Sequence, residues 1–352
     1  MISGKTLKKV TFKEIAGYLF SLGLAAGFLY IALYNVDSES LFEIIKSASI
    51  PWIIVFAFLT LFAHYLRALR WQIILSSVKK ESSTFNMFGA LLIGYGMNNV
   101  IPRLGEISRA VAAGYSENIS RSSVFGTIIV ERIIDIVFFG ISVVIASLLY
   151  NGNMYTEFPW LKTTILIGAV LILISILLLI LAIRFKEKFN AVIRFIIGHI
   201  SSKAGEKLSS IFEKMTFGFS SLKGVKNYLL VFSLSVCMML VYAATSYVGL
   251  FSLGMEQIKE VDFSTAWIIM SLSSIGVMIP TPGGIGSYHT ITKSVLVSLF
   301  GFSIAISAAY AILTHGISYI LHIITAIVFF FVFKKKFPRA NKNLLVGLND
   351  NE

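Results

Sequence analysis

Three short stretches hold ionisable residues where an apolar chain has least reason to keep them. The first is "NNVIPRLGEISRA", residues 98–110. Pro102 ends any helix that enters it, and Gly105 permits a tight turn. Arg103, Glu106 and Arg109 follow at spacings of three, so they share one face of a helix that begins near Gly105. The planar fork of arginine suits phosphate or carboxylate, and the excess of arginine over acid suits an anionic group; Asn99 adds a polar amide beside it. The second stretch is "VERIID", residues 130–135, flanked by "GTII" and "IVFFG". Glu131 and Asp135 lie at i and i+4 on one face, with Arg132 turned about 100° away. Charges in such apolar surroundings need partners inside the protein. The expected pairing is Glu131 or Asp135 with Arg103 or Arg109, leaving Arg132 for a ligand or for Glu106. The third is "IPTPGGIGSYHT", residues 279–290. Pro280 and Pro282 stop a helix, and Gly283, Gly284 and Gly286 let the backbone turn and approach a partner closely. Ser287 could cap the returning helix, whose free N–H groups favour an anion, and His289 stands at the same tip.

Each stretch also fits a purely structural role, an ion network or a tight turn that holds a broken segment, and both roles can coexist. Two further arginines, Arg67 and Arg70, end the second apolar run in "AHYLRALRWQIIL". With Tyr65 and Trp71 they fit an interfacial belt as well as a head-group contact.

Other chemistries find no support. The five histidines show no paired metal spacing, and His315 and His322 lie seven apart. Cys237 is the single cysteine, so an internal disulfide and a cysteine cluster are excluded; it reads as a small buried hydrophobe. The glycine-rich tip lacks the Gly-Lys-Ser/Thr element of a phosphate-binding loop, and no strand precedes it. With neither a metal cluster nor a nucleophile and base, no enzyme activity, cofactor or metal is expected.

These residues must be held by membrane helices. Of 352 residues, 56% are hydrophobic and only 14% charged, against about a quarter charged in soluble domains; the mean hydropathy is +0.82. The composition defines an all-α polytopic membrane protein. Apolar runs long enough to span are 15–34, 51–75, 124–150, 161–183, 228–253 and 303–333, and two shorter runs, 85–101 and 265–279, end at proline. The net charge of +12 is explained by basic residues in loops and at helix ends, not by nucleic acid. The first run reads as a retained helix rather than a removed signal peptide.

Segment 184–227 carries nine basic residues against three glutamates, and "KKKFPR" follows the last run. Both, with the lysine-rich N-terminus, belong in the cytoplasm, and the acidic loops 35–50, 151–160 and 254–262 outside. Parity then requires 85–123 to start and end inside and 263–302 outside. The expectation is six spanning helices plus two re-entrant helical hairpins entering from opposite sides, like inverted repeats; two crossings within 85–123 would keep the same parity. The domain is a single one over 1–335, with 184–227 an amphipathic cytoplasmic connector and 336–352 a polar tail. The broken tips are expected to enclose a wet, cation-rich chamber.

With "NNVIPRLGEISRA", "VERIID" and "IPTPGGIGS" in this order, the sequence resembles the lysylphosphatidylglycerol synthase transmembrane, or flippase-like, family over roughly residues 10–335. The resemblance implies a multi-pass inner-membrane protein that handles lipid. By position it implicates Pro102, Arg103, Gly105, Glu106, Arg109, Glu131, Arg132, Asp135, Pro282, Gly283, Gly284 and Gly286. Bifunctional members carry a soluble aminoacyl-transfer domain after the membrane part; the chain ends soon after "FFFVFKKKF", so the synthase activity is not expected here. The expected partners are membrane lipids, an anionic phospholipid or a polyprenyl-phosphate-type lipid, with room for a homo-oligomer. The alternatives are an ion-coupled small-anion transporter with Glu131, Asp135 or His289 carrying protons, an intramembrane lipid-modifying enzyme, and a scaffold.

Overall fold

Residues 12–101, 104–185 and 224–336, with four single positions between 187 and 209, are described by the structure, a computed structural model. Arg103, most of the expected connector and nearly all of the tail lie outside the described residues. All regular structure among the described residues is helical. Helix α1 covers Phe12–Leu33 and α2 Ser38–Lys46, with a bend of 89° between the apolar part of α1 and α2. Asp37 caps α2, accepting the Ser40 N–H at 2.9 Å. The stretch read as a plain outer loop therefore contains a helix. Helix α3 spans Ile50–Leu75 with Pro51 in its first turn, where a missing N–H is harmless. Then follow α4 (Thr84–Val100), α5 (Leu104–Glu117), α6 (Arg121–Leu149), the single turn α7 (Met154–Glu157) and α8 (Pro159–Arg184). The second half holds α9 (Val225–Ser252), α10 (Phe263–Met278), a 3-10 turn at Pro282–Gly284, α11 (Ser287–Ser298) and α12 (Ile304–Lys336).

Among the described residues, α3, α9 and α12 are long and apolar enough to cross a membrane, and α1 with α2 makes a fourth if the bent pair counts as one. Helix α6 has the length, 29 residues or about 43 Å, and carries Glu131, Arg132 and Asp135 within it. Cys237, expected to be buried, is exposed on α9, the position of a side chain that faces lipid.

The chain repeats itself in outline. Helices α3 to α6 have 26, 17, 14 and 29 residues, and α9 to α12 have 28, 16, 12 and 33. Each run breaks after its second helix at an Ile-Pro pair, Ile101-Pro102 and Ile279-Pro280, because proline disfavours helical backbone in the residue before it. The packing repeats too. α3 lies along α9; α4 packs on α12 as α10 packs on α6; α4 pairs with α5 as α10 pairs with α11. Exchanging the two runs maps each pairing onto another, so the two halves share one packing plan. Two apolar cores follow from it. One gathers Trp71, Leu75, Met87, Val124 and Ile128, the other Leu161, Leu250, Ile268, Leu296 and Tyr310.

Helix α10 starts from a strong local signal. Asp262 accepts the Thr265 N–H at 2.7 Å and the Thr265 hydroxyl at 2.8 Å. These hydrogen bonds, the backbone one first, hold the Asp262 carboxyl below its ordinary range. A depressed carboxyl pKa contributes stability that is present above the unfolded value and lost as pH falls through the folded one. Asp262→Ala is expected to cost about 1 kcal/mol, read as a lower thermal midpoint at neutral pH, with the gap to wild type closing in acid.

Candidate functional site

The buried charge of α6 organises the first half. Glu131 is fully enclosed, with 0% exposure, and an isolated carboxylate there would cost several kcal/mol. It accepts from Arg67 Nε at 2.7 Å and from Arg109 Nη2, and Arg70 Nη2 stands 3.7 Å away. Asp135, one turn on, pairs with Arg67 and Arg70. Arg67 Nη1 also donates to Tyr95 Oη at 2.9 Å and to Tyr242 Oη at 3.4 Å, and Arg70 Nη1 to Ser235 Oγ at 3.0 Å. The Arg109 guanidinium lies 3.7 Å above the Trp71 ring, which is fixed by an indole N–H to Thr127 Oγ1 at 3.0 Å. Helices α3, α4, α5, α6 and α9 thus meet at one polar knot.

Arg132 leaves this face, as its position on the helix requires. Its side chain is 38% exposed; it stands 3.6 Å from Asp135, and 4.0 Å from Glu106 and from Glu131. Four arginines (67, 70, 109, 132) face three carboxylates (106, 131, 135), which leaves one positive charge in excess. Several donors are idle: Arg70 Nε, Arg109 Nε and Nη1, and Arg132 Nε are buried and make no hydrogen bond. A cleft lined by Leu91, Tyr95, Asn98, Glu106, Arg109 and Arg132 opens beside them. It holds about 10 Å³, close to the minimum for one water. The expected wet chamber enclosed by both tips is not seen among the described residues: ion pairs fill the space, and the cleft is lined by α4, α5 and α6.

The tips of the two hairpins meet. Asn99 Nδ2 donates to Tyr319 O at 3.1 Å and Tyr319 Oη to Asn99 O at 3.0 Å. A Cβ on Gly283, which sits at φ +57°, would come within 3.1 Å of Asn99 Oδ1. His315 Nε2 donates to Gly283 O at 2.9 Å. Gly286, at φ +82°, lies against α1, where a Cβ would stand 2.5 Å from Ala25 O, and its N–H bonds His289 Nδ1 at 3.1 Å. Gly284 is buried beside His315.

Of the residues singled out from the sequence, Glu106, Arg109, Glu131, Arg132 and Asp135 come together in one cluster. Asn99, Gly283, Gly284, Gly286, Ser287 and His289 gather at the neighbouring tip contact. Ser287 does not cap α11: its hydroxyl lies 3.0 Å from Thr281 Oγ1 and bonds Gly284 O at 3.3 Å, because Gly286 holds the cap position. Arg67 and Arg70, which the sequence leaves between an interfacial belt and a head-group contact, are buried and complete the cluster with Trp71 and with Tyr95 and Tyr242, which the sequence did not mark. The signal for them was His64, Arg67 and Trp71 at i, i+3 and i+7, one face of a buried helix. Among the described residues no group of three or more histidine, cysteine or acidic side chains could hold a metal.

A membrane protein whose two halves follow one helical plan, the first of them holding a buried arginine–carboxylate cluster, is the class that fold and site define. The chain belongs to the family described as the lysylphosphatidylglycerol synthase transmembrane region, whose profile matches residues 18–326. It is 24% identical over 347 residues to a UPF0104 membrane protein of Methanocaldococcus jannaschii, covering 95% of this chain and 97% of that one. A UPF0104 membrane protein of Methanothermobacter thermautotrophicus is 23% identical over 311 residues, 85% of this chain and 88% of the relative. No solved structure matches the chain.

Because Glu131 serves several guanidinium groups, Glu131→Gln is expected to lose about 3–5 kcal/mol of stability. The double change Glu131→Gln with Arg109→Gln should recover part of it. Thermal unfolding midpoints in one detergent would check both.

Proposed function

We propose that this protein binds the head group of an anionic lipid and carries it across the cytoplasmic membrane. The ligand class is an anionic phospholipid or a polyprenyl-phosphate-type lipid. The observation that supports this best is the buried cluster with one positive charge in excess and unpartnered arginine donors beside a cleft. A phosphate entering there meets two arginines, Arg109 and Arg132, with N–H groups to give, and Glu106 swings from Arg132 as the phosphate replaces it. The cleft enlarges when α5 moves off α6, which trades arginine–carboxylate pairs for arginine–phosphate pairs. Acyl chains stay in the bilayer while the head group passes the meeting point of the two tips.

In this reading six crossings are completed by α1, α3, α6, α8, α9 and α12. The hairpins α4–α5 and α10–α11 enter from opposite faces as an inverted pair, with both termini in the cytoplasm. Irregular backbone at that depth is tolerated because protein surrounds it. The second reading, transport of a small inorganic anion, is favoured by one observation, the water-sized cleft.

Two experiments test the reading. In vesicles holding the purified protein, a fluorescent phosphatidylglycerol should cross between leaflets, and Arg132→Ala and Arg109→Ala should each slow it by about tenfold or more. Unchanged rates in both variants remove the site; phosphate or sulfate flux without lipid movement selects the second reading. For topology, Cys237→Ser supplies a cysteine-free background. Ser303→Cys is expected to react with an impermeant maleimide on intact cells, and Ser77→Cys only after the membrane is opened; both residues are exposed.

A further inference from the structure

Beside the arginine cluster stand two histidines that head-group binding does not use. His64 on α3 and His322 on α12 come from different repeats and set their Nε2 atoms 2.8 Å apart. Nitrogens at that distance share one hydrogen, so one ring donates and the other accepts. With one proton on each ring the pair is neutral. A third proton makes one imidazolium and keeps the shared hydrogen bond. A fourth would set two N–H groups against each other. The pair therefore has room for one exchangeable proton while it stays together. His64 Nδ1 is buried and has no hydrogen-bond partner. Whichever ring donates, that atom is open: it carries a hydrogen that bonds nothing, or it offers the lone pair that takes the third proton.

The surroundings connect this pair to the cluster. Tyr95 of α4 lies 4.4 Å from His64, ring to ring, and stacks on His322 at 4.9 Å and 14°. The hydroxyl of the same tyrosine accepts from Arg67, one turn along α3 from His64. Beyond Arg67 stand Tyr242 of α9 and Glu131 and Asp135 of α6. In the other direction along α12 are Tyr319 and His315, and His315 packs on His289 of α11 with ring centres 4.6 Å apart. A third proton on the pair would raise the local positive excess from one to two, a single tyrosine ring away from Arg67.

We propose that His64 and His322 form a proton-binding site whose occupancy is coupled to anion binding in the arginine cluster, so that one proton moves with each anionic head group. The coupling has two sources. The added positive charge favours an anion at the cluster, and by linkage the bound anion favours the proton. The two rings also belong to different repeats, so a movement of one repeat against the other separates them and gives each ring its own proton balance. The inference rests on the lipid-handling reading for the identity of the anion, not for the proton site itself.

The site is tested without transport. The full chain, labelled with ¹⁵N-histidine and held in phosphatidylglycerol nanodiscs, is titrated by NMR. The expected result is two rings that take up one proton together, a joint response lost in His64→Gln and in His322→Gln. Two rings titrating independently in the wild type, or no joint response, overturns the site. The coupling is tested in vesicles with a fluorescent phosphatidylglycerol and an imposed pH gradient. One proton per lipid should shift the steady-state ratio between leaflets by about tenfold per pH unit, and His64→Gln and His322→Gln should abolish the shift. A wild-type ratio that ignores the gradient while lipid still crosses overturns the coupling. A wild type that moves no lipid at all sinks the lipid-handling reading and the head-group coupling with it, and the ring titration still decides the proton site.

Discussion

A carboxylate with no access to water dictates the shape of this protein. Glu131 cannot be charged at that depth unless guanidinium groups enclose it. The groups that do so come from α3 and α5, and they place both helices against α6. Arg67 and Arg70 lie one turn apart on α3 and reach Glu131 and Asp135, one turn apart on α6. The register of the two helices is thereby set. Arg109 closes the third side and is itself held flat by Trp71. The cluster draws five helices together, and the same residues that stabilise the fold leave one positive charge unbalanced.

The second constraint is the backbone of the two broken hairpins. Proline and glycine free carbonyl groups that a continuous helix would satisfy, and each unsatisfied group away from water is costly. Helix α12 supplies donors to both tips from one face. Tyr319 Oη serves the Asn99 carbonyl and His315 Nε2 serves that of Gly283. These residues are four apart, one turn of helix. The same stripe continues to His322, which reaches His64. What looks in sequence like scattered polar residues on a very apolar helix is a single seam along which the two repeats are joined.

That seam shows where reading from sequence succeeds and where it stops. The breaks at Pro102 and Pro280 and the positive-φ glycines follow from backbone chemistry, so they were legible. The common face of Glu131 and Asp135, with Arg132 turned aside, follows from helical period alone. The role of Arg67 and Arg70 was not legible, because an arginine near the end of an apolar run looks the same whether it snorkels to the interface or turns inward. His315 and His322 defeat spacing rules for another reason: their partners lie on other helices, hundreds of positions away for His322. Cys237 misleads because in a membrane protein an apolar helix can present its small residues to lipid. The volume of the cleft, and the fact that ion pairs fill it, depend on side-chain packing that no periodicity encodes. Arg103 lies outside the described residues.

Helix α1 stands outside the two repeats and, among the described residues, packs chiefly on the second. It runs beside α11, where Gly286 is pressed against the backbone of Ala25 and Leu29, the Thr290 hydroxyl bonds Phe28 O at 2.8 Å and the Lys293 ammonium bonds Ile31 O at 3.0 Å. The second elbow is therefore splinted by close backbone packing and hydrogen bonds to backbone carbonyls of α1. The first elbow is held by hydrogen bonds between Asn99 and Tyr319 and, along the helix that follows it, by the ion pair of Arg109 with Glu131. Two halves built to the same plan thus differ in how they are held: an extra helix clamps one elbow, and buried ion pairs anchor the helices beside the other.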